Sequence, residues 1–250
     1  MKSIVKVRWQ KNEKGKWLAN LFTATENGFE SIELETGREI SFEVGEERRC
    51  TGYAPEKGER EPCPEFRKID SGSQCSECRS RDIYTGYVRG DRSTSLDGEF
   101  SVYMAQIGEK VKVGVTRSEK VERRWVEQGA DYAAELESGL EAPEALQREE
   151  ELTYGDISQR VSKSLKVPGA EDATRLERIL AERSMANEVI DVQSKTVYPR
   201  LRGLEFRRSG RIEGEIRSVK GQIVSNGRMW LAMGSGRILR KPRQRGLSDF

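Results

Sequence analysis

Apolar and polar positions alternate through the first 47 residues, and this period of two predicts β-strands with one buried face. The alternation is interrupted at Asn12-Glu13-Lys14-Gly15 and at Glu26-Asn27-Gly28, which are both turn-forming sequences. The stretches that we predict as strands are 3–9, 17–24 and 30–44.

A second pair of apolar stretches, 100–107 and 110–115, flanks the short turn Gly108-Glu109 and predicts a β-hairpin. After Ser118 the apolar spacing changes to the period of a helix. The predicted helices are 122–128, 143–152 and 171–192. From Tyr198 onward, strand patterns return between frequent glycines.

These patterns predict an α+β protein whose two ends are rich in strands. Changes in composition along the chain divide it into five regions. They are an N-terminal β region (1–47), a cysteine region (48–98), an αβ core (99–168), a long helix (169–194) and a basic C-terminal β region with a tail (195–250).

The composition removes several classes of function. The chain has 250 residues and no histidine, which excludes Ser-His-Asp catalysis and histidine-ligated metal sites. No apolar run is long enough for a transmembrane helix, and the N-terminus lacks the apolar core of a signal peptide. We therefore expect a cytoplasmic protein without a membrane partner.

Charge is unevenly distributed although the formal net charge is only +2. Residues 127–194 carry 7 Lys/Arg and 16 Asp/Glu, whereas residues 195–250 carry 14 Lys/Arg and 4 Asp/Glu. An excess of ten positive charges, most of them arginines, attracts phosphate groups. The charge pattern therefore favours a nucleic-acid partner, and a merely solvated basic surface is the alternative.

All four cysteines lie in the cysteine region, with the spacing C-x12-C-x11-C-x2-C. The closing Cys-x-x-Cys turn presents two thiolates to one tetrahedral ion. We predict a structural zinc site resembling a ribbon, and the alternative is a disulfide or free thiols. The predicted ligands are Cys50, Cys63, Cys75 and Cys78.

The αβ core resembles that of GIY-YIG nucleases, in which two strands carry tyrosine motifs and two helices carry an arginine and a glutamate. Four segments carry a closer resemblance, and they are Val102-Tyr103-Met104-Ala105, Val111-Lys112-Val113-Gly114-Val115-Thr116-Arg117, Arg124-Trp125-Val126-Glu127-Gln128-Gly129-Ala130 and Val219-Lys220-Gly221-Gln222. They resemble the family called domain of unknown function 2797.

The nuclease resemblance implies a catalytic set of Tyr103, Arg124 and Glu150, with Mg²⁺ or Mn²⁺ on the glutamate and the arginine on the scissile phosphate. Glu149 is the alternative glutamate. The second tyrosine of the nuclease motif is absent, and Lys112 stands in that segment. We therefore expect the groups to converge and cleavage to be weak or absent.

Three functions remain open from the sequence. The first is a zinc-stabilised protein that binds nucleic acid, with RNA or a ribonucleoprotein such as the ribosome favoured over DNA. The second is a metal-dependent endonuclease of the GIY-YIG type, and the third is a protein-interaction scaffold. The residues expected to bind nucleic acid are Lys112, Arg117, Arg207, Arg208, Arg211, Arg217 and Lys220.

Overall fold

A computed structural model describes residues 1–85, 98–155 and 157–241 of the chain. Within these ranges, strands outnumber helices and pair into three sheets. This confirms the α+β prediction. The predicted C-terminal tail beyond Lys241 lies outside the described residues.

The largest sheet combines the N-terminal β region with strands from the C-terminal region. Its strands are β1 (Lys2–Lys11), β2 (Trp17–Thr25), β3 (Gly28–Glu33), β4 (Glu39–Arg49), β5 (Lys68–Ile69), β12 (Gly210–Glu215) and β16 (Arg237–Arg240). Their order is β12-β4-β16-β1-β2-β3, and β5 pairs with β4. The first and last regions of the chain therefore fold as one layer.

A β-bulge in β1 explains which of its side chains reach the core. The pairing with β2 shifts between Ile4 and Lys6, and the extra residue allows Ile4 and Val7, which are three positions apart, to face the same core. Val5 packs in a small cluster with Phe22, while Ile4 and Trp9 enter the main core. The alternation after the bulge leaves Lys6 outside that core.

The αβ core is a second sheet, in the order β10-β8-β6-β7-β9. Its strands are β6 (Phe100–Ile107), β7 (Lys110–Arg117), β8 (Tyr132–Leu140), β9 (Ile157–Ser158) and β10 (Ile190–Asp191). Every residue of β6 is buried, since the main core covers one face of the strand and a second apolar cluster covers the other. The predicted hairpin of β6 and β7 is confirmed.

Helices in the described residues are short. They are α1 (Ser76–Arg81), α2 (Val121–Gln128), α3 (Ala142–Leu152) and α4 (Thr174–Glu182). Gly129 has a φ of 69° and ends α2 in the left-handed conformation, which costs glycine little. No helix in the described residues combines the length and apolar composition needed to cross a bilayer.

The long helix predicted for 169–194 is wrong in length. α4 ends at Glu182, and Ser184 adopts a φ of 56°, which is incompatible with continuing the helix. Asn187 then donates to the backbone carbonyls of Glu135 and Leu136, at 2.8 and 3.1 Å. Met185 and Val189 therefore pack from an irregular segment, which leads into β10.

The third sheet consists of strands from the C-terminal region, and one of its turns packs against the αβ core. Its strands are β11 (Glu205–Arg207), β13 (Ser218–Lys220), β14 (Ile223–Ser225) and β15 (Met229–Ala232). The turn after β13 meets the end of α2 closely, because a Cβ on Gly221 would lie 2.8 Å from the amide nitrogen of Gly129. A glycine at this position allows α2 to pack directly on the turn.

Candidate functional site

The four cysteines form one buried cluster. Their sulfur atoms lie within 4.8 Å of one another, and each side chain is at most 8% exposed. Such a cluster can hold one metal ion, and four thiolates are a donor set that suits zinc. The predicted metal ligands are thus brought together.

Backbone contacts hold the cysteine region in this shape. Cys75 caps the N-terminus of α1 and accepts from the amide of Cys78, while its own amide donates to the sulfur of Cys50 at 3.2 Å. Gly52 has a φ of 79°, and a Cβ there would lie 1.9 Å from the carbonyl oxygen of Glu61. Burial raises the pKa of the Cys50 thiol to about 11, so that metal binding would have to displace its proton.

Tyr103 lies in the buried strand β6, directly opposite Gly114 of β7. Its ring covers the glycine so closely that a Cβ on Gly114 would lie 2.5 Å from the phenol oxygen. We conclude that the missing Cβ makes room for the tyrosine ring. Burial raises the pKa of Tyr103 to about 12, against the opposing effects of the Arg124 and Gln128 side chains that face the hydroxyl.

Lys112 and Glu149 belong to the same polar group. Burial lowers the pKa of Lys112 to about 8, with Arg124 adding to the shift, and its ammonium donates to the carbonyl of Gln159 at 2.8 Å. Burial also raises the pKa of Glu149, which lies near both Lys112 and Arg124. Glu150, our predicted metal ligand, is exposed on α3. The sequence alone does not distinguish the two glutamates, and the structure brings Glu149 into this group.

A cleft of about 590 Å³ opens beside this group, and we name it the cation cleft. Its walls come from β1, the cysteine region, β7 and α2. The basic side chains that line it are Lys6, Lys57, Arg117, Lys120, Arg123 and Arg124, and the acidic one is Glu127. Such a surplus of cations favours an anionic ligand.

Glu127 is the shared ion-pair partner of three of these cations. Its carboxylate lies 3.6 Å from the Lys6 ammonium, 3.2 Å from Arg123 and 3.5 Å from Arg124. The Glu127 side chain is only 13% exposed, whereas the three cations are 37–47% exposed. One carboxylate therefore leaves much of the positive charge open to an incoming anion.

Repulsion among the cations extends beyond the cleft lining. Burial lowers the pKa of Lys6, with contributions from Arg123 and Arg8. The pKa of Arg8 is lowered in the same way by burial, Arg60 and Arg123. Arg60 belongs to the cysteine region, where its guanidinium donates to the carbonyl of Thr51. A band of positive charge thus connects the cysteine region, β1 and α2.

The basic residues predicted in the C-terminal region are not part of the cation cleft lining. Arg207, Arg211 and Arg217 are exposed, and each forms an ion pair with a glutamate two residues away. Arg208 is exposed on the same segment. Of the seven predicted residues, Arg117 lines the cleft and Lys112 lies in the polar group beside it.

Lys220 is buried, although we predicted that it contacts nucleic acid at the surface. Its side chain is 7% exposed, and its ammonium lies 2.6 Å from Asp131 and donates to the carbonyl of Lys166 at 2.8 Å. These two partners and the burial leave no exposed face of the ammonium for a phosphate. Lys220 is instead a buried ion-pair partner within the fold.

Sequence reasoning missed Lys6, which lines the cation cleft, and Arg8, whose charge acts on Lys6. Both alternate with buried Val7 and Trp9, and this alternation is the signal that could have placed them on an outer face of β1. Their proximity to α2 has no local signal, since it depends on how distant segments pack.

The model of a family described as "Protein of unknown function (DUF2797)" matches residues 37–226, which are 190 of the 250 residues. The chain belongs to this DUF2797 family. The matched range includes the four cysteines and every lining cation of the cleft except Lys6. The chain matches no curated protein and no solved structure.

Proposed function

We propose that the protein binds nucleic acid in the cation cleft, and that a zinc ion on the four cysteines stabilises the wall formed by the cysteine region. The observation that carries the proposal is the convergence of six cations and one carboxylate on one cleft. Nucleic-acid backbones supply closely spaced phosphates, and arginines pair with phosphates through two hydrogen bonds.

The cleft is a better candidate than the basic C-terminal segment. Arg207 and Arg217 have nearby glutamate partners within their own strands or turns, which neutralise much of their charge locally. In the cleft, by contrast, Lys6, Arg123 and Arg124 share a single carboxylate. Excess charge in a concave surface attracts a polyanion more strongly than ion pairs whose charges balance.

We favour RNA over DNA as the partner. The longest helix in the described residues has 11 residues and carries a run of glutamates, so it is not a basic helix of the kind that enters a DNA major groove. RNA or a ribonucleoprotein offers unpaired and irregular backbone that a cleft can receive. Competition between RNA and DNA of the same sequence tests this preference.

The zinc proposal depends on the donor set. Four buried thiols whose sulfur atoms lie within 4.8 Å of one another could supply all four ligands of a tetrahedral ion, and such a closed site is typical of structural zinc. Lys57 and Tyr84 come from the cysteine region and line the cation cleft. Zinc would therefore act on binding by fixing the position of these residues.

The first experiment measures affinity for a mixed-sequence RNA as a function of salt. We expect the double variant Lys6→Gln/Arg123→Gln to bind less tightly and to show a smaller salt slope, because it removes two phosphate partners. The matched control is Arg207→Gln/Arg217→Gln, which removes the same charge outside the cleft. Weaker binding in the control alone would refute the cleft as the binding site.

The variant Glu127→Gln should change RNA affinity in the opposite direction. It keeps the shape of the side chain and removes the carboxylate charge that competes with phosphate for Lys6, Arg123 and Arg124. We expect RNA affinity to rise by a few fold. An affinity that falls as in the Lys6→Gln/Arg123→Gln variant would contradict the proposed competition.

Phosphodiester cleavage is a second candidate, and the grouping of Tyr103, Arg124 and Glu149 favours it. Glu149 would hold Mg²⁺ or Mn²⁺, which would supply an activated water, and Arg124 would bind the phosphate. Because the pKa of Tyr103 is raised to about 12, its phenol stays protonated at neutral pH and is rarely available to accept a proton.

An RNA cleavage assay with added Mg²⁺ or Mn²⁺ tests this candidate. Metal-dependent cleavage that Glu149→Gln abolishes and the neighbouring control Glu150→Gln retains would support it. Binding without cleavage in the unchanged protein would reject the nuclease candidate and leave the binding proposal standing.

A further inference from the structure

We infer that the cation cleft receives a single-stranded segment of nucleic acid, and that Tyr84 is the platform on which one of its bases stacks. This inference rests on the proposed function, because it names the form of nucleic acid that the same cleft would bind.

The size and shape of the cleft argue for one strand. Its volume of about 590 Å³ lies in the range of sites that enclose a small ligand, between walls from four separate segments of the chain. A duplex is a wide, convex rod that contacts proteins over an extended surface. A single strand can instead thread its backbone into a cleft and turn its bases toward the walls.

The chemistry of the lining also matches a single strand. Proteins that bind single strands combine a positively charged groove with aromatic side chains that stack on unpaired bases. Tyr84 supplies the exposed aromatic ring, with 36% of the residue accessible, and it lines the cleft together with Lys57 and Arg123. Bases in a duplex are already stacked and paired, so this ring would have no base to receive.

The backbone around Tyr84 is fixed to the cysteine region. The Tyr84 amide donates to the Asp82 carboxylate at 3.0 Å, and the Ile83 amide donates to the carbonyl of Ala54 at 3.0 Å. The Asp82 carboxylate also accepts from the amides of Ala54 and Gln74. These contacts hold the backbone at Tyr84 in place before a ligand arrives, which lowers the entropic cost of binding.

The cations provide complementary contacts to the backbone. Lys6 and Arg123 lie on different elements, β1 and α2, yet they share Glu127 at distances of 3.6 and 3.2 Å. They can therefore contact neighbouring phosphates of one strand while a base reaches Tyr84. These phosphate contacts are independent of sequence, and stacking tolerates any base, so we expect low sequence specificity.

The test compares a labelled 12-nucleotide RNA with the same RNA annealed to its complement, using the full-length protein at one salt concentration. We expect the single strand to bind at least tenfold more tightly. Tyr84→Leu should weaken single-strand binding about tenfold, because the aromatic ring on which a base stacks is lost. Tyr84→Phe should retain binding, because it keeps the ring.

Tyr154→Leu is the matched control, because Tyr154 is exposed and lies outside the cleft lining. Circular dichroism of each variant establishes that the fold is retained. Equal or tighter binding of the duplex, or a Tyr84→Leu variant that binds like the control, would overturn this inference while the proposed function stands. Failure of the unchanged protein to bind either RNA would overturn both.

Discussion

At the scale of single residues, the role of Gly114 depends on Tyr103, which lies opposite it in the neighbouring strand. Gly114 is paired with Tyr103 across two strands, and the tyrosine ring lies where a Cβ would project. From the sequence alone, a glycine at this position could equally leave room for a phosphate between the strands. Only the cross-strand pairing identifies the ring as the reason.

We predict that Gly114→Ala lowers the free energy of unfolding by about 1–3 kcal/mol, because the added methyl group must displace a fully buried ring. Urea denaturation measures this change. Gly234→Ala is the control, because the nearest atoms there belong to the flexible side chain of Arg237, and it should cost less than about 1 kcal/mol. Equal losses in both variants would contradict the packing argument.

Lys166 predicts a dependence of stability on pH. Its side chain is 7% exposed, and burial beside Lys163, Lys220 and Lys112 lowers its pKa to about 7. Between pH 7 and the usual lysine pKa of 10.5, the unfolded chain binds a proton that the folded chain lacks. The free energy of unfolding should therefore rise with pH across this window, by up to about 1.4 kcal/mol for each pKa unit of the shift.

Lys166→Met removes the group and keeps an unbranched side chain of similar length. The variant should be more stable than the unchanged protein at pH 6, and this advantage should shrink toward pH 10. Urea denaturation at several pH values gives the slope. An advantage that is constant across the range would show that Lys166 is not the source of the pH dependence.

At the scale of elements, the hydrophobic pattern predicted β1, β2 and the hairpin of β6 and β7 correctly. The single strand predicted for 30–44 is wrong, because the chain turns at Gly37, where φ is 86°, and forms β3 and β4 instead. The pattern missed β8, because alanines and glutamates in 132–140 give a weak alternation. It also extended α4 past Glu182, where helix-compatible apolar spacing continues although the backbone leaves the helix at Ser184. The local spacing of apolar residues does not show where tertiary packing ends a helix.

The cysteine region was predictable as a unit because its ligands are close in sequence. We predict one zinc ion per chain by elemental analysis, and we expect a chelator to expose residues 48–82 to hydrogen exchange before the rest of the protein, because metal binding there supplies folding energy. Cys75→Ser should have the same effect. The zinc site would be refuted if the purified protein contained no metal and its hydrogen exchange changed neither with the chelator nor in the Cys75→Ser variant.

At the scale of the whole molecule, long-range pairing builds both the fold and the candidate site. β16 lies between β1 and β4, with Lys2 opposite Leu239, and no local pattern encodes this register. The cation cleft likewise combines Lys6, Lys57 and Arg123 from three regions of the chain. The sequence could predict the cluster of four cysteines and a basic C-terminal region, but not that cations from three regions converge on one cleft.

The buried ion pair of Lys220 and Asp131 joins the third sheet to the αβ core. Asp131 is fully buried, and its second oxygen accepts from the amide of Gly108 at 2.8 Å. Asp131→Asn should lower the free energy of unfolding by about 3–5 kcal/mol, because it leaves the Lys220 charge uncompensated. The control Glu213→Gln breaks an exposed pair with Arg211 and should cost less than about 1 kcal/mol.

Combining Lys220→Met with Asp131→Asn completes this test. The double variant should lose less stability than Asp131→Asn alone, because the unpaired charge is gone. Losses that simply add would indicate that the two residues contribute independently.

Ultraviolet cross-linking of the full-length protein to a single-stranded RNA, followed by mass spectrometry of the linked peptides, tests the central claim most directly. The account predicts cross-links at Tyr84 and in peptides from the cation cleft around Lys57 and Arg117–Arg124. Cross-links confined to residues 205–217, or none at saturating RNA, would contradict the assignment of the cleft as the binding site.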